Sequence, residues 1–204
     1  MSKLFLVRHG ESWGNVDKSE YFRTLDCDIE LTDKGAEQAI EAGHTIWDLN
    51  GGRTYVGNIF YSPYVRAQQT AKEIYEVLSE SGVTNYVENV LLHEREWGGL
   101  RDIVNSGQKN EGHFNFFYRP LNGESFSDCY QRVVLFDNWM KQSYNSDAIV
   151  VAHGEFIKLY CMHLMRWTVG EFEQWKTPRN GEVLMFDNGV LSSSTPLTPK
   201  VITH

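Results

Sequence analysis

The chain has 204 residues, of which 41% are hydrophobic, 13% aromatic and 23% charged, a composition typical of a globular protein with a substantial core and unlike that of a disordered chain. Its 19 basic and 27 acidic residues give a formal net charge of −8, and Lys and Arg form no run that could bind a nucleic-acid backbone. We therefore expect no nucleic-acid partner.

The sequence also predicts a cytoplasmic protein that does not contact a membrane. No stretch approaches the roughly 20 consecutive apolar residues of a transmembrane helix, and the four apolar residues before Arg8 are too few for the core of a signal peptide. The three cysteines, Cys27, Cys129 and Cys161, form no CxxC pair, which argues against a disulfide framework and against a Cys-based zinc site. A homo-oligomer is compatible with these features.

Apolar runs typical of buried strands alternate with amphipathic segments typical of helices. The strands are predicted at residues 3–7, 58–61, 86–92, 148–152 and 182–187. The helices are predicted to begin at Thr32, at Ser62-Pro63, at Ser125 and after Gly154, with the second of them ending at Gly82. Because strands and helices alternate, we expect an α/β fold, a three-layer α/β/α sandwich with a mostly parallel central sheet.

The organisation along the chain favours one domain over residues 1–204, because the sequence contains no internal repeat and no low-complexity linker. Residues 101–123 are irregular, polar and aromatic, and loops of that length are usually functional. We therefore expect a specificity lid at residues 100–120. The tail after residue 191 is rich in Ser, Thr and Pro and is expected to be loosely held.

Two of the predicted strands end in a histidine followed by a glycine, at residues 8–10 (RHG) and 152–154 (AHG). A third strand leads into a helix that carries Arg66. Either histidine alone would more often be a structural hydrogen-bonding residue. Ligands of open α/β sheets, however, bind beyond the carboxyl ends of the strands, so these side chains are expected to share a pocket. Two guanidinium groups and two imidazoles suit a tetrahedral dianion such as phosphate.

The segment RHGESWGN (8–15) resembles the signature of the histidine phosphatase superfamily, the phosphoglycerate mutase-like proteins. Five further segments match that family in the same order along the chain: LTDKGAEQA (31–39), SPYVRAQQTA (62–71), LHEREWG (92–98), NGES (122–125) and VVAHG (150–154). The resemblance covers most of the chain, so this ordered set is far more specific than an isolated RHG.

The resemblance implies that His9 attacks phosphorus through a ring nitrogen to give a phosphohistidine. Three further residues would complete the phosphate cradle and stabilise charge on the equatorial oxygens: Arg8, Arg66 and His153. Asn15 would contact the phosphate through its amide, and Gly10 and Gly154 would permit close backbone approach. No metal ion or other cofactor is implied, because the two arginines already supply positive charge.

The leaving oxygen needs a proton, which a carboxylic acid beside the phosphate can supply. The family pattern Leu-x-Glu-x-x-x-Gly falls on Leu92, Glu94 and Gly98 and so selects Glu94. Glu96 is the alternative, because a step of two residues in extended chain returns to the same face. We expect the neighbouring phosphate charge to raise the pKa of the acid and to keep it protonated near neutral pH.

A phosphatase gives the phosphohistidine to water, whereas a mutase returns the phosphoryl group to a second substrate oxygen. Mutases that resemble this chain have a long insert after the acid motif with paired arginines, but residues 99–123 are shorter and contain no adjacent Arg-Arg. The segment FFYRPLNGES (116–125) instead resembles phosphatase-like members. We therefore predict a metal-independent phosphomonoesterase that acts on a small phosphorylated metabolite, with a phosphoglycerate mutase as the alternative.

A non-catalytic protein that binds phosphorylated ligands is the alternative of a different class. The presence of both the nucleophile and the acid, His9 and Glu94, disfavours it. The predicted specificity residues are Tyr21 and Arg23, in the loop after the nucleophile, and Arg119 near the end of the lid. Arg119 is equally compatible with an ion pair of the scaffold. The aromatic residues Trp97, Phe116, Phe117 and Tyr118 are predicted to pack their loop onto the body of the protein.

Overall fold

The computed structural model of the chain describes residues 3–79, 82–98 and 115–192. Most of the predicted lid at 100–120 and almost all of the tail after residue 191 lie outside these ranges. Within them, the chain forms one six-stranded sheet and six α-helices. No helix in this part of the chain is long and apolar enough to cross a lipid bilayer.

The strands are β1 (Leu4–Arg8), β2 (Val56–Tyr61), β3 (Gly82–Glu88), β4 (Asp147–Ala152), β5 (Val183–Asp187) and β6 (Val190–Leu191). The helices are α1 (Trp13–Val16), α2 (Asp33–Leu49), α3 (Val65–Val77), α4 (Phe126–Ser143), α5 (Gly154–Met165) and α6 (Val169–Gln174). The strand order in the sheet is β3-β2-β4-β1-β5-β6. The first four strands in this order pair in parallel, and β5 and β6 are antiparallel to their neighbours. The predicted mostly parallel sheet is therefore confirmed.

Helices cover both faces of the sheet. Phe5 and Val7 of β1 belong to the core cluster that contains Ile46 of α2 and Ile74 of α3. Leu6, between them, belongs to the opposite cluster, which is built with residues of α4, α5 and α6. Successive side chains of a strand point to opposite faces, and burial of both faces explains why β1 reads as an uninterrupted apolar run. The predicted three-layer α/β/α sandwich is confirmed.

Two of the predicted helix starts are confirmed by their N-caps. The Thr32 hydroxyl accepts a hydrogen bond from Gly35 N at 3.1 Å at the start of α2. Ser125 begins α4 with a capping box: its hydroxyl accepts from Asp128 N at 3.0 Å, and Asp128 Oδ2 accepts from Ser125 N at 2.9 Å. Both caps satisfy amides that have no partner within the helix.

The predicted start of α3 at Ser62-Pro63 is wrong. The helix begins at Val65 after Tyr64 as N-cap, and the Ser62 hydroxyl instead lies 2.7 Å from Nε2 of His153. The serine hydroxyl therefore contacts a residue at the sheet edge where β2 and β4 end and does not cap the helix.

The predicted boundaries around β3 are also wrong. The helix α3 already ends at Val77, and Gly82 begins β3 rather than closing the helix. The strand runs only to Glu88, while Val90–Leu92 form a 3₁₀ turn that buries Leu92. Because β3 lies at the edge of the sheet with most side chains exposed, the apolar run that follows it marks the turn and not the strand.

Candidate active site

The sheet topology brings the two predicted histidines together. β1 and β4 are adjacent and parallel, with Arg8 opposite Ala152, so His9 and His153 follow at the same edge of the sheet. The backbone amide of His9 donates to the carbonyl oxygen of Ala152 at 3.0 Å, and the two imidazole rings lie 5.2 Å apart between centroids. Both side chains are buried. The carboxyl ends of the two central strands thus carry paired imidazoles.

A cavity of about 320 Å³ opens at this edge. Seven of the predicted site residues line it: Arg8, His9, Asn15, Tyr21, Arg66, Glu94 and Gly154. Five further residues complete the lining: Lys18, Asp26, Trp97, Glu155 and Thr177. Its wall therefore combines a cluster of cationic groups with carboxylates and aromatic rings.

The ring of His9 is held in one tautomer. Its Nδ1 lies 2.7 Å from the carbonyl oxygen of Gly10, so Nδ1 carries the proton and Nε2 keeps a free lone pair. Burial and the positive charges of Arg66 and Arg8 hold the pKa of His9 well below its usual range. The imidazole is therefore neutral near pH 7, as a nitrogen nucleophile must be.

Two guanidinium groups lie beside His9, that of Arg66 buried and that of Arg8 partly buried. Arg8 donates from Nη1 to the carbonyl oxygen of Pro178 at 2.6 Å, and its Nε is buried without a hydrogen-bond partner among the described residues. Arg66 forms an ion pair with Asp26, with 3.1 Å between Nη2 and Oδ1. A buried donor without a partner costs free energy unless a ligand accepts its hydrogen bond. The arrangement therefore favours an anion in the cavity.

The second histidine is held from behind by Ser62. Nε2 of His153 lies 2.7 Å from the Ser62 hydroxyl, which also accepts from Tyr64 N at 3.3 Å. Among the described residues, Nδ1 of His153 is buried without a hydrogen-bond partner. Burial, with the charge of Arg66 next, holds the pKa of His153 well below its usual range. His153 is not among the residues that line the cavity, but its neutral ring lies next to that of His9 and keeps Nδ1 for a ligand.

The amide of Asn15 is oriented by a residue that the sequence did not reveal. Its Oδ1 accepts from Ser12 N at 3.0 Å, from the Ser12 hydroxyl at 3.1 Å and from Nδ2 of Asn180 at 2.9 Å. Asn180 also donates to the carbonyl oxygens of His9 and Gly10, both at 3.1 Å. Because three donors meet at Oδ1, the NH₂ group of Asn15 remains available to an anion in the cavity that Asn15 lines.

Of the two candidate acids, the structure places Glu94 in the cavity and Glu96 outside it. The Glu96 side chain is 52% exposed, and its carboxylate contacts His93 at 3.6 Å and the Tyr64 hydroxyl at 3.4 Å. Gly98 has a φ of +49°, and a Cβ there would lie 2.2 Å from the carbonyl oxygen of Leu121. The glycine of the family pattern is therefore required for the turn that sets the direction of this loop.

Burial and then the charge of Glu155 raise the pKa of Glu94 to about 7. The backbone amide of Arg95, which donates to Oε1 of Glu94 at 2.9 Å, and the charges of Arg66 and Arg8 act in the opposite direction. The sequence attributed the raised pKa to a bound phosphate. The protein raises it before any ligand is bound, first through burial and then through the charge of a second carboxylate in the cavity.

The structure gives Gly10 a role other than contact with phosphate. It is not among the residues that line the cavity, its amide donates to the Thr70 hydroxyl at 3.1 Å, and a Cβ on it would lie 2.1 Å from the carbonyl oxygen of Gly35. The glycine therefore lets the end of β1 pack against the start of α2. Gly154 does line the cavity, and a Cβ there would lie 3.2 Å from Nε of Arg8.

Only some of the predicted specificity residues line the cavity. Tyr21 lines the cavity, but Arg23 is exposed and lies within 3.6 Å of Glu20, three residues earlier on the same 3₁₀ turn. Arg119 is also exposed and forms an ion pair with Asp128 at 3.1 Å, so the structure favours its scaffold interpretation. Neither arginine is part of the cavity lining. Local carboxylates hold both side chains at the surface.

Several cavity residues escaped the sequence analysis. Lys18 donates to the carbonyl oxygen of Gly14 at 2.8 Å, and its position three residues after Asn15 was the available signal. Trp97, which was predicted to pack its loop, lines the cavity instead. Thr177 comes from the segment between α6 and β5, which carries no motif. Within the described ranges, no three His, Cys, Asp or Glu side chains are arranged to hold a metal ion.

Comparison with known proteins agrees with this geometry. The family model of the histidine phosphatase superfamily (branch 1) matches residues 4–188. The chain therefore belongs to the histidine phosphatase superfamily, and the resemblance found in the sequence is confirmed.

Individual relatives carry both phosphatase and mutase names. The phosphoglycerate mutase-like protein AT74 of Arabidopsis thaliana is 32% identical over 205 residues, which cover 92% of this chain and 65% of that protein, so the chain spans just under two thirds of its length. The broad-range acid phosphatase DET1 of Saccharomyces cerevisiae is 31% identical over 283 residues, with 90% of this chain and 84% of that protein covered. A solved structure of a mycobacterial glucosyl-3-phosphoglycerate phosphatase has the same fold, with a TM-score of 0.69 at 20% identity over 91% of this chain and 89% of that one.

Proposed function

We propose that the protein is a phosphomonoesterase that passes the phosphoryl group of a small phosphorylated metabolite through His9 to water. The observation that carries this proposal is the convergence, in one cavity, of an unprotonated His9 nitrogen, two arginines and a carboxyl group with a pKa of about 7. A binding protein would need the arginines but not the other two groups.

The proposed reaction has two steps. Nε2 of His9 forms a bond to phosphorus while the bond from phosphorus to the leaving oxygen breaks, and the Glu94 carboxyl group gives its proton to that oxygen. The Glu94 carboxylate then takes a proton from a water molecule, whose oxygen attacks phosphorus as the phosphorus–nitrogen bond breaks. The products are an alcohol and inorganic phosphate, and His9 and Glu94 return to their starting states.

The remaining polar groups hold the transferred phosphoryl group. Its equatorial oxygens would accept hydrogen bonds from Nε of Arg8, from Arg66, from Nδ1 of His153 and from the amide of Asn15. Because two guanidinium groups supply the positive charge, we propose that the reaction needs no metal ion. The small phosphorylated substrate is the proposed partner, while a cytoplasmic location and a homo-oligomeric state stay predictions of the sequence.

A phosphoglycerate mutase is the second candidate function. Two observations favour it: Lys18 places an ammonium group in the cavity, where a substrate carboxylate could bind, and AT74 carries a mutase-like name. The similarity to the acid phosphatase DET1, which covers most of both chains, supports the phosphatase. Both candidates share the phosphohistidine, so the fate of the phosphoryl group decides between them.

The test follows 3-phosphoglycerate and glycerol 3-phosphate by ³¹P NMR with EDTA and a catalytic amount of 2,3-bisphosphoglycerate. We expect inorganic phosphate from at least one ester with the wild-type protein and none with His9→Ala. Conversion of 3-phosphoglycerate to 2-phosphoglycerate without net phosphate release would establish the mutase. Loss of activity in EDTA, restored by added Mg²⁺, would overturn the proposal of metal independence.

The contact between Gly10 and Gly35 gives a prediction about the position of His9. Gly10→Ala is expected to lower kcat for p-nitrophenyl phosphate by about 10- to 100-fold, because a displacement of the nucleophile near 1 Å costs up to about 100-fold. Gly170→Ala is the control, since a Cβ there meets no atom within 4 Å. Circular dichroism would confirm that both variants are folded. Wild-type kcat in a folded Gly10→Ala protein would contradict the proposed role of this contact.

A further inference from the structure

A second carboxylate shares the cavity with the proposed acid. Glu155 lies in the first turn of α5, directly after His153 and Gly154, and lines the same cavity as Glu94. Its Oε2 lies 2.6 Å from Nε of Arg95, and its side chain is 18% exposed. The proposed reaction gives this carboxylate no role, although its negative charge would repel a phosphate dianion in the cavity.

The position of Glu155 is fixed by a buried arginine. Arg95 is 1% exposed, donates from Nη1 to the carbonyl oxygen of Glu124 at 3.0 Å, and has its guanidinium carbon 4.3 Å from the ring of Phe126 and 4.8 Å from the ring of Trp97. A buried guanidinium group requires a nearby negative charge. The ion pair therefore holds the Glu155 carboxylate in place.

Charged and titratable groups from four elements act on Glu94. They are Arg8 at the end of β1, Tyr64 and Arg66 at the start of α3, Cys129 and Arg132 of α4, and Glu155 of α5. Burial raises the pKa of Tyr64 and of Cys129, so both are neutral near pH 7. The three arginines favour an ionised Glu94, which could not give a proton to a leaving group. Burial of Glu94 opposes them most strongly, and Glu155 is the charged group in this set that adds to the effect of burial.

We propose that Glu155, held by Arg95, is a positioning residue for acid catalysis that keeps Glu94 protonated at neutral pH. This inference rests on the proposed function, because it gives Glu155 a task in the step that protonates the leaving oxygen. The same repulsion serves the second step. Once Glu94 has lost its proton, two carboxylates face each other in the cavity, and Glu94 becomes a stronger base toward water.

The direct test is a titration of Glu94 that does not depend on turnover. Protein labelled with ¹³C at the Glu side-chain carboxyl is titrated by NMR, and the Glu94 signal is assigned by its absence in Glu94→Gln. In Glu155→Gln the midpoint is expected to fall by about one pH unit, because a nearby like charge has been removed. Glu155→Asp retains the charge and is expected to keep most of the elevation.

The control for the change in net charge is Glu76→Gln, on the exposed side of α3. In this variant the titration midpoint of Glu94 should match that of the wild type. An unchanged Glu94 midpoint in folded Glu155→Gln overturns the proposal. If Glu155→Gln does not fold because Arg95 is left without its partner, Glu155→Ser is used instead, because it leaves room for water beside the guanidinium group. A lowered Glu94 midpoint in that variant supports the proposal, and an unchanged midpoint overturns it.

Kinetics separate this inference from the proposed function. With an alkyl phosphate, a fall of one unit in the Glu94 midpoint reduces the protonated fraction at pH 7, and so kcat/KM for formation of the phosphohistidine, by about fivefold. With p-nitrophenyl phosphate the loss should be smaller, because that leaving group needs no proton. A wild-type protein that turns over neither ester and forms no phosphohistidine would refute the proposed function, whereas the NMR titration would still report on Glu155.

Discussion

Replacing His9 with alanine is expected to lower the turnover of every phosphomonoester substrate by at least about 10⁴-fold, because the phosphorylated intermediate can no longer form. The structure supports this size of effect, since Nδ1 of His9 is committed to Gly10 and Nε2 is the nitrogen left free for phosphorus. The measurement is steady-state phosphate release together with acid-sensitive, base-stable ³²P label on the protein after a rapid quench. The wild type should carry the label and His9→Ala should not.

The matched control is His44→Ala, because His44 is an exposed histidine on α2 away from the cavity. It should retain both the rate and the label. Label in His9→Ala at the wild-type level would show that another residue is the phosphate acceptor, and the proposed reaction would then be wrong. Binding of phosphate by both proteins without label or turnover in either would instead establish a binding protein.

The central strands of the fold could be predicted because a strand buried on both faces of a sheet has an uninterrupted run of apolar residues. β1, β2, β4 and β5 are read from apolar runs, and strand ends in an open parallel sheet point to one edge. That rule, with the glycines after His9 and His153, was enough to bring the two histidines together. The edge strand β3 was misplaced, since its exposed side chains carry no apolar run.

The parts of the site that escaped the sequence are those that tertiary contacts supply. Asn180 and Asn15 are separated by 165 positions in the chain, and no motif near either residue indicates their hydrogen bond. Ser62 looked like a helix cap because Pro63 follows it, but its hydroxyl is used by His153 from the neighbouring strand. Motifs indicate the residues that are proposed to react, whereas the residues that orient them are found only in the tertiary structure.

The ion pair between Arg95 and Glu155 likewise could not be predicted from the sequence. Both residues stand next to motif residues, Arg95 after Glu94 and Glu155 after Gly154, yet their pairing joins two segments that are 60 positions apart. The family pattern therefore located the proposed acid, whereas its burial and the carboxylate of Glu155, which raise its pKa to about 7, depend on the tertiary structure.

Glu94→Gln is expected to reduce kcat/KM, which reports the steps up to departure of the alcohol and not the later hydrolysis of the phosphohistidine, by about 10³-fold for an alkyl phosphate such as glycerol 3-phosphate, because the alkoxide would have to leave without a proton. For p-nitrophenyl phosphate, whose phenolate leaves readily, the loss should stay below about tenfold. Glu96→Gln is the control, because that side chain is exposed outside the cavity, and it should behave as the wild type with both esters. Equal losses with the two esters in Glu94→Gln would contradict the role of this residue as the acid.

The pH dependence gives the same assignment an independent test. Glu94 must be protonated to act as an acid, and its pKa is raised to about 7, so the wild-type rate with the alkyl ester should decline as the pH rises through 7. The pKa of His9 lies well below its usual range, so the nucleophile stays unprotonated at mildly acidic pH and the rate should be retained there. In Glu94→Gln the decline above pH 7 should disappear, because the group that titrates has been removed. A decline that persists in that variant would assign the alkaline limb to another residue.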